Sequence, residues 1–382
     1  MVSPRTATFG VFVANGAAVG VWVAQIPWVQ DRFGFAKSTL GLVLLAMSVG
    51  VIVALPVMGQ AIVRLGSARA TRLAGLVCCA LVALPLLAPE PWLLPFALLA
   101  FGASSGAMDV SMNAHGVAIE TALARPIMSS LHAGWSLGGF SGAALVGVAT
   151  AAGADPRAQN AVAAVVLVAF LALCLRRLGS GSASAAPEPL RLPSREVLLL
   201  AFLCFLIMVT EGAMGDWGGV WLRGDLGAEA GLAAAAFAAF SAGMTAGRVT
   251  GDALNRRLGA TVLLRGGSAL AALALGTALV MADPIAALAG LALVGAGVAN
   301  GVPLLFSAAG RGGVEASGPS IAAVSSMGSI GFLVGPPFIG FLAEATSLPL
   351  ALSSLCLATG AVALLAGRTA RARAAAPQPA LS

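Results

Sequence analysis

Arg64-Leu65-Gly66 recurs 193 residues later as Arg257-Leu258-Gly259, and this repeated stretch decides the fold. The same spacing aligns other residues that punctuate a backbone: Trp28 with Trp221, Arg72 with Arg265, Pro91 with Pro284, Pro126 with Pro319, Pro156 with Pro349, Gly34 with Gly227, Gly50 with Gly243, Gly102 with Gly295, and Gly138, Gly142 and Gly147 with Gly331, Gly335 and Gly340. Composition alone would give about three glycine coincidences, and well under one each for proline, arginine and tryptophan. All these pairs are separated by the same 193 residues, with no insertion or deletion, so the sequence predicts that the backbone is duplicated.

The composition places this duplicated backbone in a membrane. Hydrophobic residues make up 59% of the chain and charged residues 9%, a balance that no soluble globule of this size needs. Apolar stretches long enough to cross a bilayer, which takes about 20 helical residues, lie near 8–28, 38–62, 72–88, 92–113, 129–150, 159–176, 196–221, 230–251, 264–282, 285–307, 319–342 and 349–367. They lack the alternation of a lipid-facing barrel strand, so we predict an all-α integral membrane protein with twelve transmembrane helices.

The basic residues predict the orientation of these spans. Sixteen of them fall on one side of the predicted membrane and four on the other, so the first side is predicted to be cytoplasmic, with both termini there. The net charge of +6 then reflects topology and attraction to lipid headgroups, because no basic stripe on a soluble face exists for a nucleic acid.

The repeat divides the chain into two six-helix halves, predicted at 1–178 and 195–368. A small, polar, Pro-rich segment at 179–194 suits a cytoplasmic linker between them, and an Ala/Arg/Pro-rich tail at 369–382 is predicted to be disordered. Each half has an even number of spans, so both halves enter from the same face. The two copies are therefore parallel pseudo-repeats, with a site expected between them.

At this point the chain resembles a major facilitator superfamily transporter over nearly its whole length. The family signature of the loop between the second and third spans is G-x-x-x-D-R-x-G-R-R or close to it; Gly59, Arg64 and Gly66 keep its frame, and Arg257 and Gly259 keep it in the second copy. The acidic position is not kept in either copy. The resemblance implies alternating access, gating at Arg64, Gly66, Arg257 and Gly259, and a central cavity lined by spans 1, 4, 7 and 10.

Three further segments look like a bacterial branch related to fucose permeases: Asp109-Val-Ser-Met-Asn113, Ser130-Leu-His-Ala-Gly-Trp-Ser136 and Glu211-Gly-Ala-Met-Gly-Asp-Trp217. This narrower resemblance implies a bacterial inner membrane protein that binds a small solute. We expect a monomer with no cofactor or metal.

The polar groups inside the spans follow the same architecture. Spans 3, 6, 9 and 12 have no ionisable residue in their interiors, whereas spans 1, 4, 7 and 10 carry Asn15, Gln25, Asp109, Asn113, Glu211, Asp216 and Asn300. Because such groups are expensive in a bilayer, their placement points to function.

Glu211 is the strongest candidate among them. It lies about 15 residues into its predicted span, roughly 22 Å along the helix, and no basic residue is near it in sequence. A carboxyl group in such a site could carry a proton, so we predict proton coupling at Glu211; the alternative is a protonated acid that only joins two helices. Asp216 is a substrate contact or an outer-gate residue, or else an interfacial acid beside a tryptophan belt.

The next candidates lie in spans 4 and 5. Asp109 and Asn113 share a helix face near the predicted cytoplasmic end of span 4, so we predict that they pair at an inner gate with the basic residues Arg64, Arg69 or Arg72; substrate contact is the alternative. His132, Trp135 and Ser136 share a face of span 5, where His132 and Trp135 are predicted substrate contacts. His132 could also relay protons, and a neutral histidine satisfied between helices is the alternative. His115 is predicted to be a solvated loop residue.

Asn15, Trp22 and Gln25 form one stripe on span 1, and an aromatic group with two amides suits a polyhydroxylated ligand. Asn300 on span 10 is the last predicted substrate contact, with plain packing as the alternative for it and for Trp22. Arg248 lies one turn from the predicted end of span 8, where snorkelling to the interface would explain it.

The sequence therefore predicts a secondary active transporter that moves a small solute, with protons as the expected co-substrate and a sugar-like solute favoured. Efflux of amphipathic compounds, a channel and a non-transporting sensor on the same fold stay open as alternatives. An enzyme is not expected, because the chain has two histidines and no His-Glu-x-x-His pattern or comparable cluster. No ATP-binding P-loop is present, so an ion gradient or the substrate gradient is expected to drive transport.

Overall fold

The structure is a computed structural model that describes residues 3–124, 127–179, 194–310 and 317–374. These residues form twelve long helices: α1 (Pro4–Phe33), α2 (Lys37–Leu65), α3 (Ser67–Leu87), α4 (Pro91–Leu123), α5 (Met128–Ala151), α6 (Pro156–Leu175), α7 (Arg195–Gly224), α8 (Ala230–Leu258), α9 (Ala260–Met281), α10 (Pro284–Gly310), α11 (Ser317–Ala345) and α12 (Leu348–Ala374). The predicted all-helical fold with twelve spans is confirmed.

By length and apolar composition alone, eleven of the described helices could cross a bilayer. The twelfth helix, α5, is not apolar enough to meet the same criteria. At 24 residues α5 is long enough, but serine, glycine, histidine and tryptophan lower its hydropathy. Its closest neighbours are α1 and α8, so it packs against protein on both sides. A helix that faces protein needs less apolar surface than one that faces lipid.

Four helices are interrupted along their length. The breaks lie between Val23 and Ile26 in α1, Leu81 and Leu84 in α3, Ala234 and Ala236 in α8, and Val298 and Gly301 in α10. In α1 the second piece carries Pro27 in its first turn, and a proline has no N–H to donate to the carbonyl four residues earlier. The break in α1 therefore follows from the sequence.

The two halves repeat each other in the structure as the 193-residue spacing predicts. Helices α2 and α8 span equivalent positions, and the turns that follow them both use a glycine with positive φ, 79° at Gly66 and 81° at Gly259. Gly50 packs against the Leu99 carbonyl in the first half, as Gly243 packs against the Ala292 carbonyl in the second. The duplicated backbone is confirmed at the level of single helix contacts.

Each half packs in the same order. In the first half α1 packs on α5, α2 on α4 and α3 on both α4 and α6; in the second α7 packs on α11, α8 on α10 and α9 on both α10 and α12. The halves meet mainly through α5 with α8 and α2 with α11. The centre of the protein therefore lies between helices of different halves.

Twelve crossings put the two ends of the described chain on one membrane face, which we call the terminus side; the other face is the far side. Helix α12 continues to Ala374, so the first residues of the tail predicted at 369–382 are helical, and the rest lies outside the described residues. Most of the predicted linker at 179–194 also lies outside them. So do three of the basic residues that predicted the orientation, Arg125, Arg191 and Arg311.

Candidate functional site

Helices α1 and α5 bring two predicted site residues together. Trp135 Nε1 donates a hydrogen bond of 2.8 Å to Asn15 Oδ1, and Asn15 is 2% exposed. The helices approach this closely because Gly16 has no side chain, and a methyl group there would meet the Trp135 carbonyl. The Asn15 Nδ2 group has no partner among the described residues. A buried donor with no protein partner is a candidate for contact with water or a ligand.

The predicted stripe on α1 does not stay on one face. Gln25 lies in the break of α1, where its Nε2 donates to Gln159 Oε1 and Asn160 Oδ1, both at 3.1 Å. Asn160 Nδ2 in turn donates to the Val82 carbonyl at 3.0 Å. Gln25 therefore joins α1 to α3 and α6 within the first half. A constant helical spacing cannot be carried across an interrupted helix, which is why Gln25 departs from Asn15.

Trp22 lies before that break and is 1% exposed. Its Nε1 group has no partner in the part of the chain that the structure describes. Its predicted contact with substrate stays a prediction.

Arg248 links the two halves, and it lies deeper in its helix than the sequence predicts. Helix α8 runs to Leu258, so Arg248 lies ten residues, roughly 15 Å, from the helix end rather than one turn from it. Its Nη1 donates to Ser136 Oγ at 2.5 Å and to the His132 carbonyl at 3.5 Å, both on α5. Snorkelling to the interface is therefore wrong for Arg248, because its guanidinium binds the other half of the protein.

His132 lies beside this contact. Its ring packs edge-on against Phe12 of α1, with ring centroids 5.3 Å apart. Its side chain makes no hydrogen bond to another described residue, so neither ring nitrogen has a partner there. The positive charge of Arg248 is close enough to act on it.

Glu211 is near the middle of α7, about 24 Å from Arg195 and about 20 Å from Gly224 along the helix axis. It is half-buried, and the charge of Arg248 attracts it. No ion pair within 4 Å joins the two among the described residues. No basic residue lies near Glu211 in the sequence, and its nearby cation, Arg248, belongs to the next helix, α8.

The far part of α7 adds an acid and an aromatic group. Asp216 is half-buried and has no hydrogen-bond partner within the described ranges. Trp217 is fully buried, and its Nε1 likewise has no described partner. A methyl group on Gly340 of α11 would come within 3.2 Å of Trp217 Cζ2, so this ring lies at the α2–α11 junction.

The predicted inner-gate pair on α4 lies deeper than expected. Helix α4 continues to Leu123, so Asp109 is 14 residues, roughly 21 Å, from its terminus-side end. Asn113 Nδ2 donates to the Asp109 carbonyl at 2.9 Å and to Asp109 Oδ1 at 3.1 Å. The expected pairing with the basic residues at the ends of α2 and α3 is not formed by the described residues, whose two ion pairs both lie on the far side.

His115 is also inside α4 rather than in a loop, and the prediction of a solvated residue is wrong. It is fully buried, with Nε2 2.8 Å from the Leu178 carbonyl and Nδ1 3.3 Å from Ser67 Oγ. It ties α4 to the start of α3 and to the end of the first half.

Of the remaining predicted residues, Asn300 makes a contact between helices. Asn300 Nδ2 donates to the Gly247 carbonyl at 2.9 Å, which fixes the break of α10 against α8. Arg64 and Arg257 are exposed at the ends of α2 and α8. Their roles in substrate binding and gating stay predictions.

Comparison with known proteins gives a consistent assignment. A model of the family described as the Major Facilitator Superfamily matches residues 7–318. An uncharacterized MFS-type transporter of Yersinia pestis is 34% identical over 365 residues, 95% of this chain and 93% of that protein. An uncharacterized transporter of Sinorhizobium fredii is 32% identical over 377 residues, covering 96% and 98%, and the membrane protein MosC of Rhizobium meliloti is 32% identical over 376, covering 98% and 92%.

Solved structures agree on the fold. A mutant of the nucleoside transporter NupG superposes with a TM-score of 0.75 at 12% identity, covering 96% of this chain and all of that one. A bacterial homologue of the human lysosomal transporter Spinster, inward-facing and occupied, superposes with a TM-score of 0.72 at 12% identity, covering 96% of both chains.

Proposed function

This chain belongs to the major facilitator superfamily and is a transporter of that type, not an enzyme; on that premise we propose that it is a secondary active transporter whose solute binds between the two halves. One observation carries the proposal. Arg248 crosses from the second half to Ser136 of the first, from a position ten residues inside α8. Charges are expensive inside a membrane, and those that are kept there mark solute and ion pathways.

The contacts between the halves support alternating access. On the far side, α2 meets α11 and α5 meets α8 closely enough that Gly41 lies against the Pro336 carbonyl and Gly231 against Ala151. Among the described residues, no hydrogen bond or ion pair joins the halves nearer to the terminus side than the contacts of Arg248 with α5. With the terminus side in the cytoplasm of a bacterial inner membrane, as the basic residues predict, closure of the far side would correspond to an inward-facing arrangement.

Proton coupling through Glu211 and a sugar-like solute are the finer parts of the proposal. The half-buried Glu211 has no direct partner in the described chain, which leaves its carboxyl group available to bind a proton. The unpartnered donors of Asn15, Trp22 and Trp217 suit a solute rich in acceptor oxygens, such as a polyol or a sugar. Membership of a branch related to fucose permeases stays a prediction.

Counterflow in proteoliposomes tests the proposal. Labelled monosaccharides and polyols, with labelled amphipathic cations as the second panel, are first ranked by their thermal shift of the purified protein. We expect the best binder to be accumulated transiently against unlabelled internal solute. A flux without counterflow would indicate a channel, binding without flux would indicate a sensor, and a response confined to the amphipathic panel would favour efflux.

A further inference from the structure

The first turn of α2 is capped by the other half of the protein. Helix α2 begins at Lys37, and its own N-cap residue, Ala36, has no side chain that can accept a hydrogen bond. Instead, Glu344 Oε2 on α11 accepts from the backbone N–H of Lys37 at 3.0 Å and of Ser38 at 3.5 Å. The first N–H groups of a helix have no partner within the helix, and a carboxylate there also interacts favourably with the helix dipole.

Two ion pairs lie beside this cap. Lys37 Nζ is 3.5 Å from Asp225 Oδ1, and Arg223 Nε is 3.1 Å from Asp31 Oδ2, each pair joining the two halves. The side chains of the second pair are 40% and 54% exposed, so water and salt screen it strongly. The Glu344 contact differs because it satisfies backbone groups that have no side-chain cap of their own.

We propose that Glu344 is a latch across the halves, which holds the far side closed by capping α2. The latch rests on the proposed rocking of the halves, because the cap can form only while α2 and α11 touch on the far side. When the halves separate there, the N-terminus of α2 loses its acceptor and Glu344 loses two donors. The closed arrangement is therefore favoured by an interaction that the open arrangement cannot reproduce within either half.

Among the described residues, the α5–α8 junction has no such cap. By the 193-residue spacing, Glu344 corresponds to Ala151 at the end of α5, and Lys37 corresponds to Ala230 at the start of α8. An alanine side chain cannot cap a helix. The latch therefore belongs to the α2–α11 junction alone, and it makes the closure of the far side asymmetric.

Distances between spin labels test the latch in the full-length protein. The labels are placed on exposed far-side residues of opposite halves, Ala154 and Met281, after the five native cysteines are replaced. Pulsed electron resonance in nanodiscs then reports the populations of short and long far-side distances. Because the readout is a distance, it does not depend on knowing the solute.

Three variants separate the cap from the charges around it. Glu344→Ala removes the cap, and we expect the ratio of far-side-open to far-side-closed protein to rise about tenfold, within the range of helix-cap losses. Glu344→Gln keeps an acceptor oxygen without the charge and should raise the ratio by about threefold or less. Lys37→Ala removes the ion pair with Asp225 but leaves the backbone donors, and it should have a similarly small effect.

The latch is refuted if Glu344→Ala leaves the populations unchanged, or if Lys37→Ala shifts them as much. A wild-type protein that populates both distances, with no response to Glu344→Ala, refutes the latch and leaves transport intact. A single distance in every variant refutes the rocking of the halves and the latch with it.

Discussion

The two halves of this protein share a backbone and differ in their buried charges. Glu211 and Arg248 lie in the second half, and the residues at the same positions of the first half are Ala18 and Leu55. The helix contacts around them are nevertheless repeated, down to the close glycine approaches between paired helices. Duplication explains the scaffold, whereas the charges at the centre arose by divergence of one copy from the other.

The first half has polar and aromatic residues of its own that the second half lacks. It carries Asp109, His132 and Trp135 at positions where the second half has Val302, Ser325 and Gly328. Neither half holds a complete polar site, because Arg248 of the second half finds its hydrogen-bond partners on α5 of the first. A site completed only by both halves is sensitive to their relative movement, which is what a transporter that rocks requires.

The largest expected effect tests the acid that only the second half possesses. We expect Glu211→Gln to abolish uphill accumulation while solute exchange continues, because the amide cannot carry a proton but fills the same space. Accumulation driven by an imposed pH gradient, measured beside exchange in the same proteoliposomes, checks this. Glu196→Gln, at an exposed acid in the first turn of the same helix, is the matched control and should leave uphill transport unchanged; uphill transport that survives in Glu211→Gln would make Glu211 structural.

A somewhat smaller effect is expected when Arg248 is replaced by its counterpart. Arg248→Leu leaves Glu211 without its attracting cation and removes the donor to Ser136. A charge left without a counter-charge inside a membrane costs about 2.5–3.5 kcal/mol, so the transport rate should fall by about 100-fold. Initial rates of exchange, corrected for the amount of folded protein, give the measurement.

A double variant separates charge from folding. Glu211→Ala with Arg248→Leu gives both positions the residues of the first half, and no unpaired charge remains. We expect its thermal stability to recover toward the wild type while transport stays lost. Recovery of transport in the double variant would contradict a direct role for the pair, and an unchanged rate in Arg256→Leu, an exposed arginine of the same helix, is the control.

The fold could be predicted from the sequence because its signals are local and repeated. The apolar stretches give the helices, and the spacing of Gly66 and Gly259 gives the duplication and the turns after α2 and α8. The ends of several helices were placed wrongly, since polar residues were taken to end a span. In α4 and α8 the helix continues past such residues, which places Asp109 and Arg248 well inside the membrane-spanning part.

Local sequence signals of the same kind predicted only part of the site. Glu211 stood out as an acid in an apolar stretch, but its cation could not be found by sequence distance, because Arg248 reaches it from another helix. One signal was available: Arg257-Leu258-Gly259 marks the turn after α8, so Arg248 had to lie about ten residues inside that helix. The Glu344 cap has no such signal, because it depends on how the halves meet.

The smallest expected effect tests whether the two backbones are equivalent in energy as well as in shape. A methyl group on Gly50 would lie 2.7 Å from the Ala103 nitrogen, and one on Gly243 would lie 2.9 Å from the Ala296 nitrogen, the same contact in each half. Gly50→Ala and Gly243→Ala should therefore each destabilise the protein by about 1–3 kcal/mol, since the neighbour is backbone and cannot turn aside. Thermal unfolding in detergent measures both.

Gly59→Ala and Gly266→Ala are the matched controls for this pair, because nothing lies within 4 Å of a methyl group at either position. Both controls lie in helices, where alanine is preferred over glycine by about 0.5–1 kcal/mol, so they should be neutral or slightly stabilising. Similar losses for Gly50→Ala and Gly243→Ala would mean that each half depends on its glycine contact to the same degree. A large loss of stability in one variant and none in the other would mean that the two halves differ in backbone packing. The halves would then differ in rigidity as well as in charge.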